Sequence, residues 1–352
     1  MSDRAAAALR TTVPDPFGTD REVVVLRLDD GAGCVGWGEA SPLAGYSPDD
    51  LDGAERALDD WAARWVEGDA SATVSDPGLL LTPSARCAAD VALLDLSARS
   101  RGIPLRSVLL DMTSPSHAVA RVPVCALLSL SGIDRAGTPP ASADLLRDVL
   151  GLVSEGFKVV KFKVGTQPEF SRQLEELRAV RAEFPYLKIR LDANASWAPD
   201  EARQRLRELK SAIDPELVEQ PVGPTELLTF GQSPIPLAAD ESLRLSDSVE
   251  RLTQPGGCSA VLLKPTVLGG LRACLAAAEI AHANGAQAIV SHTFGGPIAH
   301  AAECELALAV AAADPVGHPP AAGLAGHDNL DQRAGPWIEP AAIVGHGVEA
   351  PW

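Results

Sequence analysis

At 352 residues, 46% of them hydrophobic, the chain can bury a large core, enough for two domains or one barrel with additions. A net charge of −17 with no basic stripe argues against a nucleic-acid partner. No apolar run approaches the ~18–20 residues of a membrane span, which excludes a membrane reading.

The alanine-rich start carries no basic region followed by a long apolar core, so no export signal is read there. Six cysteines lie far apart, without CxxC or Cys/His spacing, and suit a reducing cytoplasm. Residues 22–28 read as a strand, Asp29-Asp30-Gly31-Ala32-Gly33 as a turn, and Cys34-Val35-Gly36-Trp37-Gly38-Glu39 as the second strand of an antiparallel hairpin. Helices are expected at about 49–65 and 83–100, the latter with a core stripe of Val91, Leu94 and Leu96. This opening is an α+β module.

From about residue 122 the rhythm becomes strand, helix, strand, helix. A strand over 122–130 and a helix over 145–155 lead into five apolar segments with polar ends: Val159-Val160-Lys161-Phe162-Lys163, Ile189-Arg190-Leu191-Asp192-Ala193-Asn194, Leu217-Val218-Glu219, Leu237-Ala238-Ala239-Asp240 and Val261-Leu262-Leu263-Lys264. A further segment, Ala288-Ile289-Val290-Ser291-His292, ends on a hydroxyl and an imidazole. The ends recur every 21–29 residues, the length of a βα unit, with helical patterns at about 169–184, 199–212, 247–253, 269–284 and 297–312. With a weak eighth strand near 321–324, the fold class is α/β: a modified TIM (β/α)7β barrel with an N-terminal α+β capping domain completed by the C-terminal segment. The expected boundaries are 1–118 for the cap, 119–330 for the barrel and 331–352 for a segment packing back on the cap. The Gly- and Pro-rich residues 132–142 are expected to form a surface loop.

In a barrel of this kind the active site lies where strands end. Asp192, Glu219 and Asp240, on successive strands, would meet there, and three carboxylates stay ionised together only beside a cation. Oxygen donors alone suit Mg²⁺ before Mn²⁺; the alternative is three separate helix caps. Lys161 and Lys163, two apart on one strand, point to the same side. Mutual repulsion and desolvation would depress their pKa values, as a general base requires. Lys264 is expected on the opposite wall; the alternative for a strand-end lysine is a rim charge or a salt bridge to a carboxylate.

These motifs together resemble the enolase superfamily, in its muconate-lactonizing subgroup. The resemblance runs through Gly36-Trp37-Gly38-Glu39, Pro42-Leu43, Gly45-Tyr46-Ser47, Lys161-Phe162-Lys163, Leu191-Asp192-Ala193-Asn194, Glu219-Gln220-Pro221, Ala239-Asp240-Glu241-Ser242 and Lys264-Pro265-Thr266 with Gly269-Gly270. It implies Asp192, Glu219 and Asp240 as Mg²⁺ ligands, Lys163 and Lys264 as the catalytic lysines, and Asn194 as a group orienting the ligands; Arg190 either contacts the site or forms an ordinary salt bridge. Lys161 would position the substrate or perturb its neighbour. Backbone N–H groups around Ser291, Thr293, Gly295 and Gly296 would hold a distal substrate carboxylate or simply cap a helix, and His292 would line the pocket or order a loop. Phe17 and Tyr46 would serve as lid residues; the alternative for the loop over residues 12–18 is ordinary turn chemistry of its Pro and Gly.

Within the subgroup, Asp240-Glu241-Ser242-Leu243-Arg244 and the proline after Lys264 look like the o-succinylbenzoate synthases. That likeness implies Mg²⁺-dependent dehydration of 2-succinyl-6-hydroxy-2,4-cyclohexadiene-1-carboxylate in menaquinone biosynthesis. Lys163 would abstract the α-proton to give a metal-stabilised enediolate, as enolase-superfamily sites do. The alternatives are an N-acylamino acid racemase or dipeptide epimerase, using the same lysines as opposed bases, and a catalytically dead barrel retained for binding. The partner is a small carboxylate; the oligomeric state is not legible.

Overall fold

The computed structural model describes residues 4–14, 20–113, 115, 117–130, 142–165, 169–325 and 335–349. The expected lid residue Phe17 and almost all of the loop expected at 132–142 lie outside them. An antiparallel sheet of β1 (Ala5–Pro14), β2 (Asp20–Asp29) and β3 (Val35–Ala40) opens the chain, in that spatial order. The strand β1 is an addition to the expected hairpin. Its alanines have weak β propensity, and it forms by pairing residue for residue with the Val-rich β2.

Against this sheet lie α1 (Leu51–Glu67) and α3 (Pro83–Arg101); the short turn α2 (Pro77–Leu80) joins those two helices, and α4 (Leu105–Leu110) follows, packed on α3. Asp50 caps α1 by accepting from the Gly53 N–H, and Gly68 ends it in the left-handed region. Gly36 and Gly38 let β3 touch α3: a Cβ at either would collide with the backbone carbonyl of Ala92 or Ala88. That contact explains the glycines flanking Trp37.

The barrel begins with β4 (Val122–Pro123) and β5 (Cys125–Ser129), then α5 (Ser142–Glu155), β6 (Val159–Lys163), α6 (Glu169–Glu183), β7 (Lys188–Asp192), α7 (Pro199–Ala212) and β8 (Leu217–Glu219). It continues through α8 (Pro224–Leu227), β9 (Leu237–Ala239), α9 (Ser248–Leu252), β10 (Ala260–Leu263), α10 (Pro265–Leu268), α11 (Leu271–Ala283), β11 (Gln287–Val290) and α12 (Pro297–Ala313). Among the described residues, β5 to β11 form one parallel sheet in chain order. The expected eighth strand is only a pair of bridges, Ala322 to Val124 and Gly323 to Ser291, and these close the sheet into a barrel.

Alternation along each strand sorts the side chains. Val160, Phe162, Val218, Val261, Leu263 and Val290 join the large core under the helices. Leu217, Ala238, Ala260, Leu262 and Ile289 form a separate cluster inside the barrel. Two residues further along the same inward rows stand Glu219, Asp240, Lys264 and Ser291. The period of two therefore delivers polar groups to the barrel mouth on top of an apolar plug.

The chain's later residues bind both parts. The strand β12 (Trp337–Ile338) pairs with β4. Further on, Gly345 exchanges backbone hydrogen bonds with Ile103 and Leu105, and the His346 N–H donates to Asp95 on α3. No helix among the described residues is long and apolar enough to cross a membrane.

Candidate active site

The register of the parallel strands sets Lys163 beside Asp192 and Asp192 beside Glu219 at the barrel mouth. Asp192, Glu219 and Asp240 are only 3%, 2% and 3% exposed, so each carboxylate needs a partner. Lys161 supplies two: its Nζ lies 3.2 Å from Asp192 Oδ2 and 2.9 Å from Glu219 Oε2. Lys264 Nζ donates to Asp240 Oδ2 at 2.7 Å and to the Tyr46 hydroxyl at 2.8 Å, and Tyr46 donates on to Asp240 Oδ1 at 2.5 Å. Tyr46 comes from the cap, so the cap contributes a side chain to the barrel mouth.

These contacts reverse one expectation about the lysines. Burial works to lower the pKa of Lys161, but Glu219 and then Asp192 outweigh it and raise it. Lys264 behaves alike: burial lowers its pKa, and Asp240 followed by Tyr46 overcomes that and raises it. Lys163 stands exposed at the mouth, with its neighbour Lys161 half-buried. Burial tends to raise the pKa of Asp192, but Lys161, Lys264 and Lys163 together lower it. Glu219 is pushed up by burial and then by Asp192 and Asp240, with Lys161 opposing.

Among the described residues no three His, Cys, Asp or Glu side chains stand close enough as placed to hold a metal ion. The reason is visible in the contacts: ammonium groups, not a shared centre, bridge the carboxylates. The donor set itself fits a hard divalent cation. Three nearly inaccessible carboxylates, with only two buried ammonium groups among them, leave a net negative charge at the end of the apolar plug.

The expected supporting residues surround the charged cluster, each held by neighbours of its own. The side chain of Asn194 is exposed, and it is the Asn194 backbone N–H that orients Asp192, donating to Oδ1 at 3.0 Å. Arg190 lines the cavity but is bound to Glu216 at 2.6 Å and to the Ala321 carbonyl at 2.7 Å, so it ties β7 to the closing segment. Ser291 Oγ donates to the Gly323 carbonyl. His292 contacts the Ala325 carbonyl at 3.1 Å, accepts the Phe294 N–H and lies edge-on to the Phe294 ring, which makes it both a pocket and a loop-ordering residue.

The Gly296 N–H is not free for a substrate carboxylate. Glu39 of the cap accepts the Gly296 N–H at 2.5 Å and the Ala299 N–H at 3.4 Å, filling the start of α12. A Cβ on Gly295 would press into Ser41 Oγ and Ala299. These glycines serve the close approach of the cap.

Three residues escaped the sequence reading. Gln220 holds the site's frame: its Oε1 accepts the backbone N–H groups of Asp240 and Ser242, and its Nε2 donates to Val222 and Ser242. Glu241 is pushed up to about 7 by burial and then by Asp240. Arg21 grips the loop after β11 from the cap. The Glu219-Gln220-Pro221 and Asp240-Glu241-Ser242 motifs signalled the first two; nothing in the sequence signalled the third.

A family model described as "Enolase C-terminal domain-like" matches residues 144–349, and one described as "MenC, N-terminal domain" matches residues 12–96. The chain is 26% identical over 298 residues to the L-Ala-D/L-Glu epimerase of Clostridium acetobutylicum, covering 81% of this chain and 78% of that protein. It is 30% identical over 301 residues to the o-succinylbenzoate synthase of Citrobacter koseri, covering 82% of each. Among solved structures, the dipeptide epimerase from Enterococcus faecalis V583 superposes with a TM-score of 0.80 at 22% identity over 99% of both chains. The dipeptide epimerase from Methylococcus capsulatus complexed with Mg ion gives 0.75 at 23% identity, over 94% of this chain and 92% of that one. With the barrel, its cap and the matched families in agreement, the chain belongs to the enolase superfamily.

Proposed function

We propose that the protein is a carbon–oxygen lyase that dehydrates 2-succinyl-6-hydroxy-2,4-cyclohexadiene-1-carboxylate to o-succinylbenzoate, a step of menaquinone biosynthesis. The observation that carries this reading is Tyr46. It lies in the segment resembling a MenC N-terminal domain, and its hydroxyl joins Lys264 to Asp240 inside the barrel mouth. Lys264, fixed by two hydrogen bonds, suits a stationary cation better than a base that must give up and regain a proton in each turnover.

Asp192, Glu219 and Asp240 would hold Mg²⁺, or Mn²⁺, which when bound supplies Lewis-acid polarisation of the substrate carboxylate. Lys163 Nζ, exposed at the mouth, takes the proton from the carbon bearing that carboxylate. The same ammonium then gives a proton to the departing hydroxyl, so that the C–O bond breaks, water leaves and the ring becomes aromatic. Lys264 balances the negative charge that develops, and Lys161 keeps Asp192 and Glu219 oriented. The six free cysteines support a reducing, cytoplasmic setting for this chemistry.

A second reading, a dipeptide epimerase with Lys163 and Lys264 as opposed bases, is supported by the likeness to the L-Ala-D/L-Glu epimerase of Clostridium acetobutylicum. Incubating the purified protein and Mg²⁺ with the cyclohexadiene substrate is expected to give the aromatic product, followed by absorbance. Deuterium incorporation into L-Ala-L-Glu in heavy water, with no aromatic product from the other substrate, overturns the lyase in favour of the epimerase.

A further inference from the structure

The loop after β11 carries two features that the proposed chemistry leaves unused. Thr293 lines the cavity and is only 2% exposed, and its hydroxyl, itself buried, has no hydrogen-bond partner among the described residues. A buried hydroxyl without a partner is a desolvation penalty left unmet, so a ligand that completes it would recover that penalty. Phe294, next along, adopts φ 56°, a left-handed conformation unfavourable for a bulky side chain.

Both are held from the cap. The Arg21 guanidinium donates to the Thr293 carbonyl at 2.8 Å and the Phe294 carbonyl at 2.7 Å, while its other nitrogen donates to the Ser41 carbonyl at 2.5 Å. Glu39 takes the N–H groups that follow, at Gly296 and Ala299. Arg21 sits at the start of β2 and Glu39 near the end of β3, on adjacent strands of one rigid sheet. One guanidinium nitrogen, Nη1, binds two successive carbonyls while Nη2 anchors the group to Ser41, which fixes the loop and is how an unfavourable φ at Phe294 is sustained.

We propose that Arg21, backed by Glu39, is a positioning residue that clasps residues 293–296 to the cap, and that the Thr293 hydroxyl so presented is a recognition group donating to an oxygen acceptor on the substrate. This rests on the proposed reaction only for the identity of that acceptor, a carboxylate or keto oxygen of the succinyl arm. The pocket's selectivity then depends on cap and barrel being docked. A hydroxyl aimed at a substrate oxygen discriminates against ligands that cannot accept from it.

The test uses the full chain with Mg²⁺ and the variants Thr293→Val, Thr293→Ser, Arg21→Ala and Arg21→Lys. Thr293→Val is expected to raise KM about tenfold with kcat within about twofold, and Thr293→Ser to restore it. Arg21→Ala is expected to raise KM at least as far and to speed backbone hydrogen exchange of peptides covering 291–299 by tenfold or more, with the β6–β10 strands unchanged. Arg21→Lys, which keeps one donor nitrogen but loses the second that anchors it to Ser41, falls between and stands in should the alanine variant not fold. Adding Thr293→Val to Arg21→Ala costs nothing further, because the hydroxyl is already misplaced. An unaltered KM in Thr293→Val, or wild-type exchange in both Arg21 variants, overturns the proposal. Exchange needs no turnover, so the clasp is judged even if the wild type fails to dehydrate the cyclohexadiene; KM is then read on L-Ala-L-Glu epimerisation.

Discussion

Two groups of buried carboxylates flank the pocket, and they are held in opposite ways. At the barrel mouth, Asp192, Glu219 and Asp240 are met by lysine ammonium groups within 3.2 Å. At the junction of cap and α12, Glu39 is met by backbone N–H groups, and Glu303 keeps an Oε2 without a hydrogen-bond partner among the described residues. Burial pushes Glu303 well above the usual carboxylate range, with Glu39 adding to the shift. Residue type and burial are the same in both places. The partners differ: ammonium groups meet the carboxylates at the mouth, whereas burial raises the pKa of both Glu39 and Glu303 at the junction.

The contrast can be broken first at the mouth. Lys163→Ala is expected to lower kcat by about 10³-fold or more while Mg²⁺ binding, followed by calorimetry, persists; turnover near wild type would remove Lys163 from the proton path. Next, Lys161→Met strips Asp192 and Glu219 of their shared cation and should cost about 3 kcal/mol in chelator-treated protein. Saturating Mg²⁺ should narrow that gap in thermal melts, and an equal loss with and without the ion would argue that the carboxylates do not serve it. On the cap side, Gly38→Ala drives a Cβ into the Ala88 carbonyl and should cost about 2 kcal/mol in denaturant unfolding; a neutral result would mean that α3 yields easily.

The smallest effect sharpens the comparison through pH. The folded Glu303 carboxyl retains its proton above the ordinary value of 4.5, where the unfolded chain has released it. Stability contributed by this residue is therefore full below that value and declines as pH rises, by at most about 1.4 kcal/mol per unit. Glu303→Gln should flatten the fall in melting temperature between pH 5 and pH 8 without altering turnover. Parallel curves for the two proteins would mean that Glu303 is charged in the fold.

How much of this was legible depended on whether the cause was local. The mouth was readable because the two-residue period and the βα spacing are local rules, and Leu217 to Glu219 or Leu262 to Lys264 obey them in the linear chain. The strand β1 was missed because alanines become strand only when β2 offers them partners. The partners of Arg21 and Glu39 were invisible for a stronger reason: they lie 272, 273 and 257 residues away. Gly296 misled in the same manner. It opens what resembles an anion-binding helix start, and only the tertiary structure reveals that the Glu39 carboxyl of the same chain is already seated on its N–H.

The exchange between Gly345 and the turn joining α3 to α4, with His346 wedged beside Asp95 and the Trp37 carbonyl, joins positions 251 and 309 residues apart. During synthesis the first sheet and its helices emerge long before the residues that finish their packing. That half of the molecule must wait, with part of its interior uncovered, until the barrel has been made. Refolding should accordingly show the near-ultraviolet signal of Trp37 recovering last, after helical content has returned.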